Sequence, residues 1–234
     1  MISENIIAIR ERIAGACRRA GRPENDVTLL AVGKTFPAST ILDALRGGIR
    51  DIGENYVQEL LAKQRALGGE EVRWHFIGHL QTNKVRQIVP GVEMVHAVDS
   101  VRLGLEIERR AGEASRVIDC LIEVNTTGES TKFGVPPDDV AALARALSPC
   151  RHIRLAGLMT IGPFLPEAEG SRPMFRQLRE LRDRLSPAHP HMRHLSMGMT
   201  GDFEVAIEEG ATIVRIGTAL FGPRPKADHQ RRTP

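Results

Sequence analysis

The feature that most constrains this chain is an alternation of short, continuously apolar runs with longer stretches whose apolar residues recur at helical spacing. Residues 27–34 (VTLLAVGK) form a compact apolar run, and helical spacing resumes over 39–45 before Gly47 and Gly48 stop it. The unit then repeats: strand 51–54 before a helix through Leu61, strand 73–78 before helix 83–89, and strand 94–98 before helix 101–111. Strands 117–125, 153–160 and 194–197 precede helices 136–147, 172–185 and 203–209, and residues 212–216 supply an eighth strand. Apolar strands in strict alternation with helices indicate a parallel sheet covered by helices. Eight such units favour a closed (β/α)8 barrel of the TIM type over an open doubly wound sheet. Ahead of the first strand, Ile6, Ile9, Ile13 and Cys17 recur at three- or four-residue spacing, which adds an N-terminal amphipathic helix closed by Gly21 and Pro23.

A chain of 234 residues is long enough for one such core, and no glycine-rich linker divides it. Residues 1–224 are therefore read as one barrel domain, with 162–173 (GPFLPEAEGSRP) a long loop at one barrel end. Residues 225–234, with Lys226, Arg231 and Arg232 against Asp228, are read as a polar tail with no packed structure. A net charge of +3 and 4% aromatic residues leave little from which to build a nucleic-acid surface. Cys17, Cys120 and Cys150 lack the paired spacing of a zinc or redox site and read as core residues in a reducing compartment. No apolar run approaches the roughly 20 residues that span a bilayer, so a cytoplasmic location is expected.

In a closed parallel barrel the carboxyl ends of the strands face one pocket, and the polar and glycine-rich clusters of this sequence fall at those ends. Lys34 closes the first strand; desolvation there would lower its pKa and favour imine formation, although a lysine snorkelling to solvent fits the residues equally well. Residues 196–200 (SMGMT) and 217–222 (GTALFG) follow the last two strands, where this fold usually binds phosphate. Glycines that merely make tight turns are the alternative. Arg215 sits among Ile213, Val214 and Ile216 and needs a partner, either an ion pair or a ligand atom. His75 and His79 have a zinc-binding spacing, but Phe76 replaces the expected glutamate and the segment reads as strand, so no metal site is expected. A Ser, His, Asp triad lacks the GxSxG elbow.

Seven segments, AVGKTFP (31–37), DIGENYVQE (51–59), WHFIGHLQTNK (74–84), IEVNTTGESTKFG (122–134), GLMTI (157–161), LSMGMTGDFEVAIEEG (195–210) and VRIGTALFG (214–222), resemble in order the pyridoxal 5′-phosphate (PLP) homeostasis protein family. That family is related to the barrel domain of bacterial alanine racemases. The resemblance implies that Lys34 carries PLP as a Schiff base, that Ser196, Gly217 and Thr218 hold the phosphate with help from Met199 and Thr200, and that Arg215 meets the pyridine nitrogen. It places Asn55 and His79 near the ring and Met159 in the pocket wall. Gly33, Phe36 and Gly201 depart from the family's usual serine, basic and acidic residues at those points.

An arginine at the pyridine nitrogen keeps it unprotonated and weakens PLP as an electron sink. A racemase also needs a second base, which alanine racemases take from an added domain that this chain is too short to include; its only tyrosine is Tyr56. The expectation is a cytoplasmic PLP carrier acting in PLP homeostasis as a monomer, without robust turnover and with PLP-dependent apo-enzymes as recipients. A low-activity PLP-dependent amino-acid racemase is the alternative, and a barrel binding another phosphorylated metabolite is a third reading.

Overall fold

The apolar runs become eight parallel strands: β1 (Thr28–Val32), β2 (Asp51–Glu54), β3 (Arg73–Phe76), β4 (Met94–Val98), β5 (Ile118–Glu123), β6 (Ile153–Met159), β7 (His194–Ser196) and β8 (Ile213–Ile216). They were traced in a computed structural model that describes residues 1–129, 133–162 and 165–223. Each strand pairs with its sequence neighbours, and the sheet closes because Ala31 of β1 lies opposite both Ile52 of β2 and Ile216 of β8. The (β/α)8 barrel expected from the alternation is what forms.

Alternate residues of a strand face opposite sides, and the barrel sorts them accordingly. Leu30, Val32, Ile77, Met94, Leu121, Met159 and Ile213 make an apolar cluster inside the wall. Ala31, Ile52, Val95, Ile122, Leu158 and Val214 point the other way, into a larger core beneath the helices. Those helices are α1 (Ile2–Arg19), α2 (Ala38–Arg46), α3 (Val57–Ala66), α4 (Val85–Ile88), α5 (Val101–Glu113), α6 (Val140–Leu147), α7 (Arg172–Leu185), α8 (Phe203–Glu208) and α9 (Thr218–Phe221). In α5, Leu103, Ile107 and Ala111 recur every four residues and are buried, while Ser100 caps the first turn by accepting the Leu103 N–H. The extra N-terminal helix α1 buries Ile6, Ile9, Ile13 and Cys17 and packs along α2, α8 and α9.

Several boundaries differ from the periodicity for one physical reason. β1, β3, β5, β6 and β7 stop short of Lys34, Gly78, Asn125, Thr160 and Met197, because the chain leaves the ladder there to form the rim. The expected helix over 83–89 is a 3-10 turn (Thr82–Lys84), the single turn α4 and a second 3-10 turn containing Pro90. The stretch 217–222, read as a glycine cradle, contains the unforeseen one-turn helix α9. Part of the 162–173 loop, Pro163 and Phe164, and the 225–234 tail lie outside the described residues. Among the described residues no helix is long and apolar enough to cross a membrane.

Candidate functional site

At the carboxyl end of β1 the chain is held on both sides of a single half-buried lysine, Lys34. The N–H of Gly33 donates to Gly53 O at 3.0 Å, and Gly33 O accepts from Lys63 Nζ at 2.7 Å. Thr35 takes φ +69°, a left-handed conformation that threonine adopts only when its surroundings enforce it, and its N–H donates to Glu59 Oε2 at 2.7 Å. Lys63 is buried and donates to Glu54 Oε1 at 2.7 Å and to Glu59 Oε2 at 3.2 Å, so one ammonium ties β2, α3 and the Lys34 loop together. Burial pushes the Glu54 carboxyl up to about 7 in spite of the Lys63 ammonium, and its Oε2 has no hydrogen-bond partner. Lys63 escaped the reading of the sequence; the one trace it leaves there is the Glu59, Lys63 spacing of four residues on a helix.

Arg215, on the inner face of β8, is buried and donates to Ser196 O at 2.6 Å, Ser196 Oγ at 2.8 Å and Thr160 O at 2.7 Å. Burial draws its pKa down to about 10, with Glu123 and Asp202 opposing, so it remains a cation at neutral pH. Glu123, at the end of β5, is pushed up to about 7 by burial and by Asp99, against the pull of Arg215.

Ser196, which the resemblance puts on a phosphate, is fully buried on the inner face of β7, and its Oγ meets Arg215 and, at 2.9 Å, His96 Nδ1. Both directions of that hydroxyl are committed below the rim. The rim after β7 is shaped instead by Gly198, at φ +88°, where a Cβ would come within 2.5 Å of Ala206 Cβ and 2.9 Å of Phe203 Cα. The Met199 N–H is taken by Asp202 Oδ1 at 2.7 Å, while Thr200 Oγ1 accepts from Ala219 N at 3.3 Å and so joins this turn to the start of α9. Gly217 caps α9, and the N–H of Thr218 opens it without an intrahelical acceptor.

The barrel order brings Lys34 between the ends of β2 and β8, with Asn55 on one side and Gly217 on the other. A Cβ on Gly217 would lie 3.6 Å from Val32 Cβ. Asn55 is half-buried and its Oδ1 has no partner; Met159 is fully buried at the end of β6. His79 lies further out on the rim, exposed, stacked on Phe133 at 4.1 Å and 3.5 Å from Asp99 Oδ2. His75 and His79 diverge, one into the barrel and one onto the rim, and among the described residues no His, Cys, Asp or Glu cluster could hold a metal ion.

An unpartnered amide oxygen, a lysine held between two backbone anchors, the Thr218 N–H at the start of α9 and a buried cation suit a planar anionic aldehyde such as PLP. Fold and site together define a barrel of the class described as "Alanine racemase, N-terminal domain", whose family model matches residues 5–225. The pyridoxal phosphate homeostasis protein of Aquifex aeolicus is 49% identical over 94% of this chain and 97% of its own length; that of Pseudomonas aeruginosa is 43% identical over 95% and 96%. The chain belongs to the pyridoxal phosphate homeostasis protein family. The structure of PipY from Synechococcus elongatus PCC7942 with PLP bound is similar to it, with 35% identity and a TM-score of 0.83 over 95% of this chain and 100% of that one.

Proposed function

We propose that this protein binds PLP reversibly as a Schiff base on Lys34 and serves PLP homeostasis without robust catalytic turnover. The observation that carries the reading is the seat of Lys34, fixed through Gly33 and Thr35 beside Gly217 and Thr218, in a relative of a protein whose structure holds PLP. When bound, PLP supplies an aldehyde, an anionic phosphate and a visible chromophore. Lys34 offers the amine, while Thr200, Gly217 and Thr218 offer phosphate donors, with the turn at Met199 shaping that side of the cup. Asn55 and His79 would flank the ring, and Met159 would form part of the pocket wall. Arg215, a cation under the site, would donate to the pyridine nitrogen and so leave that nitrogen unprotonated. The setting is the cytoplasm, the chain acts as a monomer, and PLP-dependent apo-enzymes are the recipients.

Borohydride treatment of PLP-loaded protein should label a peptide containing Lys34, and Lys34→Ala should abolish the label. A labelled peptide elsewhere in that variant overturns the assignment. In the same preparation, L-amino acids in deuterated water should show little Cα exchange. Exchange near the enzyme median of roughly 10 per second would promote the racemase reading over the carrier.

A further inference from the structure

Below the rim, a column of polar side chains runs through a barrel interior that such folds ordinarily fill with apolar residues. At the floor, Arg73 donates to both oxygens of Asp51, at 2.8 and 2.6 Å, and Asp51 Oδ1 lies 3.2 Å from His75 Nε2. His75 Nδ1 is 2.9 Å from His96 Nε2, and His96 Nδ1 is 2.9 Å from Ser196 Oγ, which receives Arg215 Nη1 at 2.8 Å. His75, His96 and Ser196 are all buried, and His96 and Ser196 have no exposed surface. The sequence offered His75 only as a metal candidate and gave His96 no role.

The hydrogen-bond network assigns the protons in this column. Burial opposes ionisation of Asp51, but hydrogen bonds from Arg73 and His75 outweigh it and hold the carboxyl down at about 2, so Asp51 only accepts. His75 therefore carries its proton on Nε2, and in the neutral ring its Nδ1 accepts from His96 Nε2. Burial, with the Arg215 guanidinium adding to it, holds His96 well below the ordinary histidine range, so that ring is neutral and its Nδ1 is bare. The bare Nδ1 accepts the Ser196 hydroxyl proton, and the remaining Ser196 lone pairs face the guanidinium. A cationic His75 would reverse these bonds and leave the Ser196 proton without an acceptor in the column.

We infer that His96, held in its tautomer by His75 and Asp51, is a positioning residue for Arg215: by taking the hydroxyl proton of Ser196 it makes Ser196 Oγ an acceptor that fixes the direction of the guanidinium. The inference rests on the reading above that Arg215 faces the pyridine nitrogen of PLP. The groups facing the column are Arg73 and Asp51 at the floor, His194 at its side, and Glu123 and Asp202 near Arg215.

The test starts from parent protein loaded with PLP and trapped on Lys34: failure of that trapping sinks the cofactor reading, whereas the column is decided by an arm of its own. That arm is ¹⁵N NMR of histidine-labelled parent without PLP: His96 should show a protonated Nε2 and a bare Nδ1, and the opposite tautomer overturns the inference whatever PLP does. With PLP, His96→Leu removes the acceptor, whereas His96→Asn keeps an oxygen close to the position of Nδ1. The expected result for His96→Leu is PLP retention about tenfold weaker or more, from one lost or misdirected bond to a charged group. The pH midpoint of its visible band should also move, and His96→Asn should bring the midpoint back toward that of the parent. Parent-like affinity and midpoint in His96→Leu, with Lys34 still trapped, would make the column a structural filler.

Discussion

Removing the Lys63 ammonium takes one contact each from Gly33 O, Glu59 and Glu54, and Glu54 has no exposed surface on which water could replace it. Breaking a buried pair on one side costs about 3–5 kcal/mol. The penalty for Lys63→Met should depend on pH, because Glu54 escapes it by taking a proton. Its folded pKa of about 7 already lies above the ordinary 4.5, so its contribution is complete below about 4.5 and is lost as pH rises through 7. Urea unfolding at pH 5.5 and pH 8 should therefore show a smaller deficit at the lower pH, whereas equal deficits would mean that Glu54 does not feel Lys63. The residues legible in the sequence were those whose charge interrupts an apolar run, Lys34 and Arg215. His96 interrupts an apolar run too, but its partners His75 and Ser196 lie on other strands, and Lys63, on α3, gave only its spacing from Glu59 because its other partners are Glu54 on β2 and Gly33 after β1. Ser196 was legible as a strand-end residue facing the pocket, because Leu195 beside it marks the outer face; its partners His96 and Arg215 were not.

The turn between β7 and α8 is the element on which the phosphate side of the site depends. Gly198 combines φ +88° with backbone and side chain of α8 where a Cβ would stand, so Gly198→Ala meets both strain and overlap, each costing about 1–3 kcal/mol. The expected outcome is a lower thermal midpoint together with weaker PLP retention. A variant of parental stability that binds PLP normally would show that the turn is not constrained as drawn. Periodicity located nearly every strand and helix, since burial on one or both faces writes itself into spacing. It missed α9, where one turn of four residues is too short to show a period, and it ran several strands past their ends, because a polar residue closing a strand and one opening a loop look alike in sequence.

For the molecule as a whole, PLP should act as a stabiliser, because the site needs both β1 and β8 to be in place. Ligand at a hundred times its Kd adds about 2.7 kcal/mol, which for a domain of this size corresponds to a rise of about 5–10 °C in the thermal midpoint. An unchanged midpoint at saturating PLP would mean that the folded barrel has no such site. Closure of β8 onto β1 also sets a timetable. Lys34 and its clamp emerge first, and Arg215 and Gly217 follow roughly 180 residues later, about 10–40 s at ordinary elongation rates. A nascent chain on the ribosome thus displays a reactive amine well before it owns a cup for the phosphate, and selective capture of the cofactor must wait until β8 and the turn after it have been made.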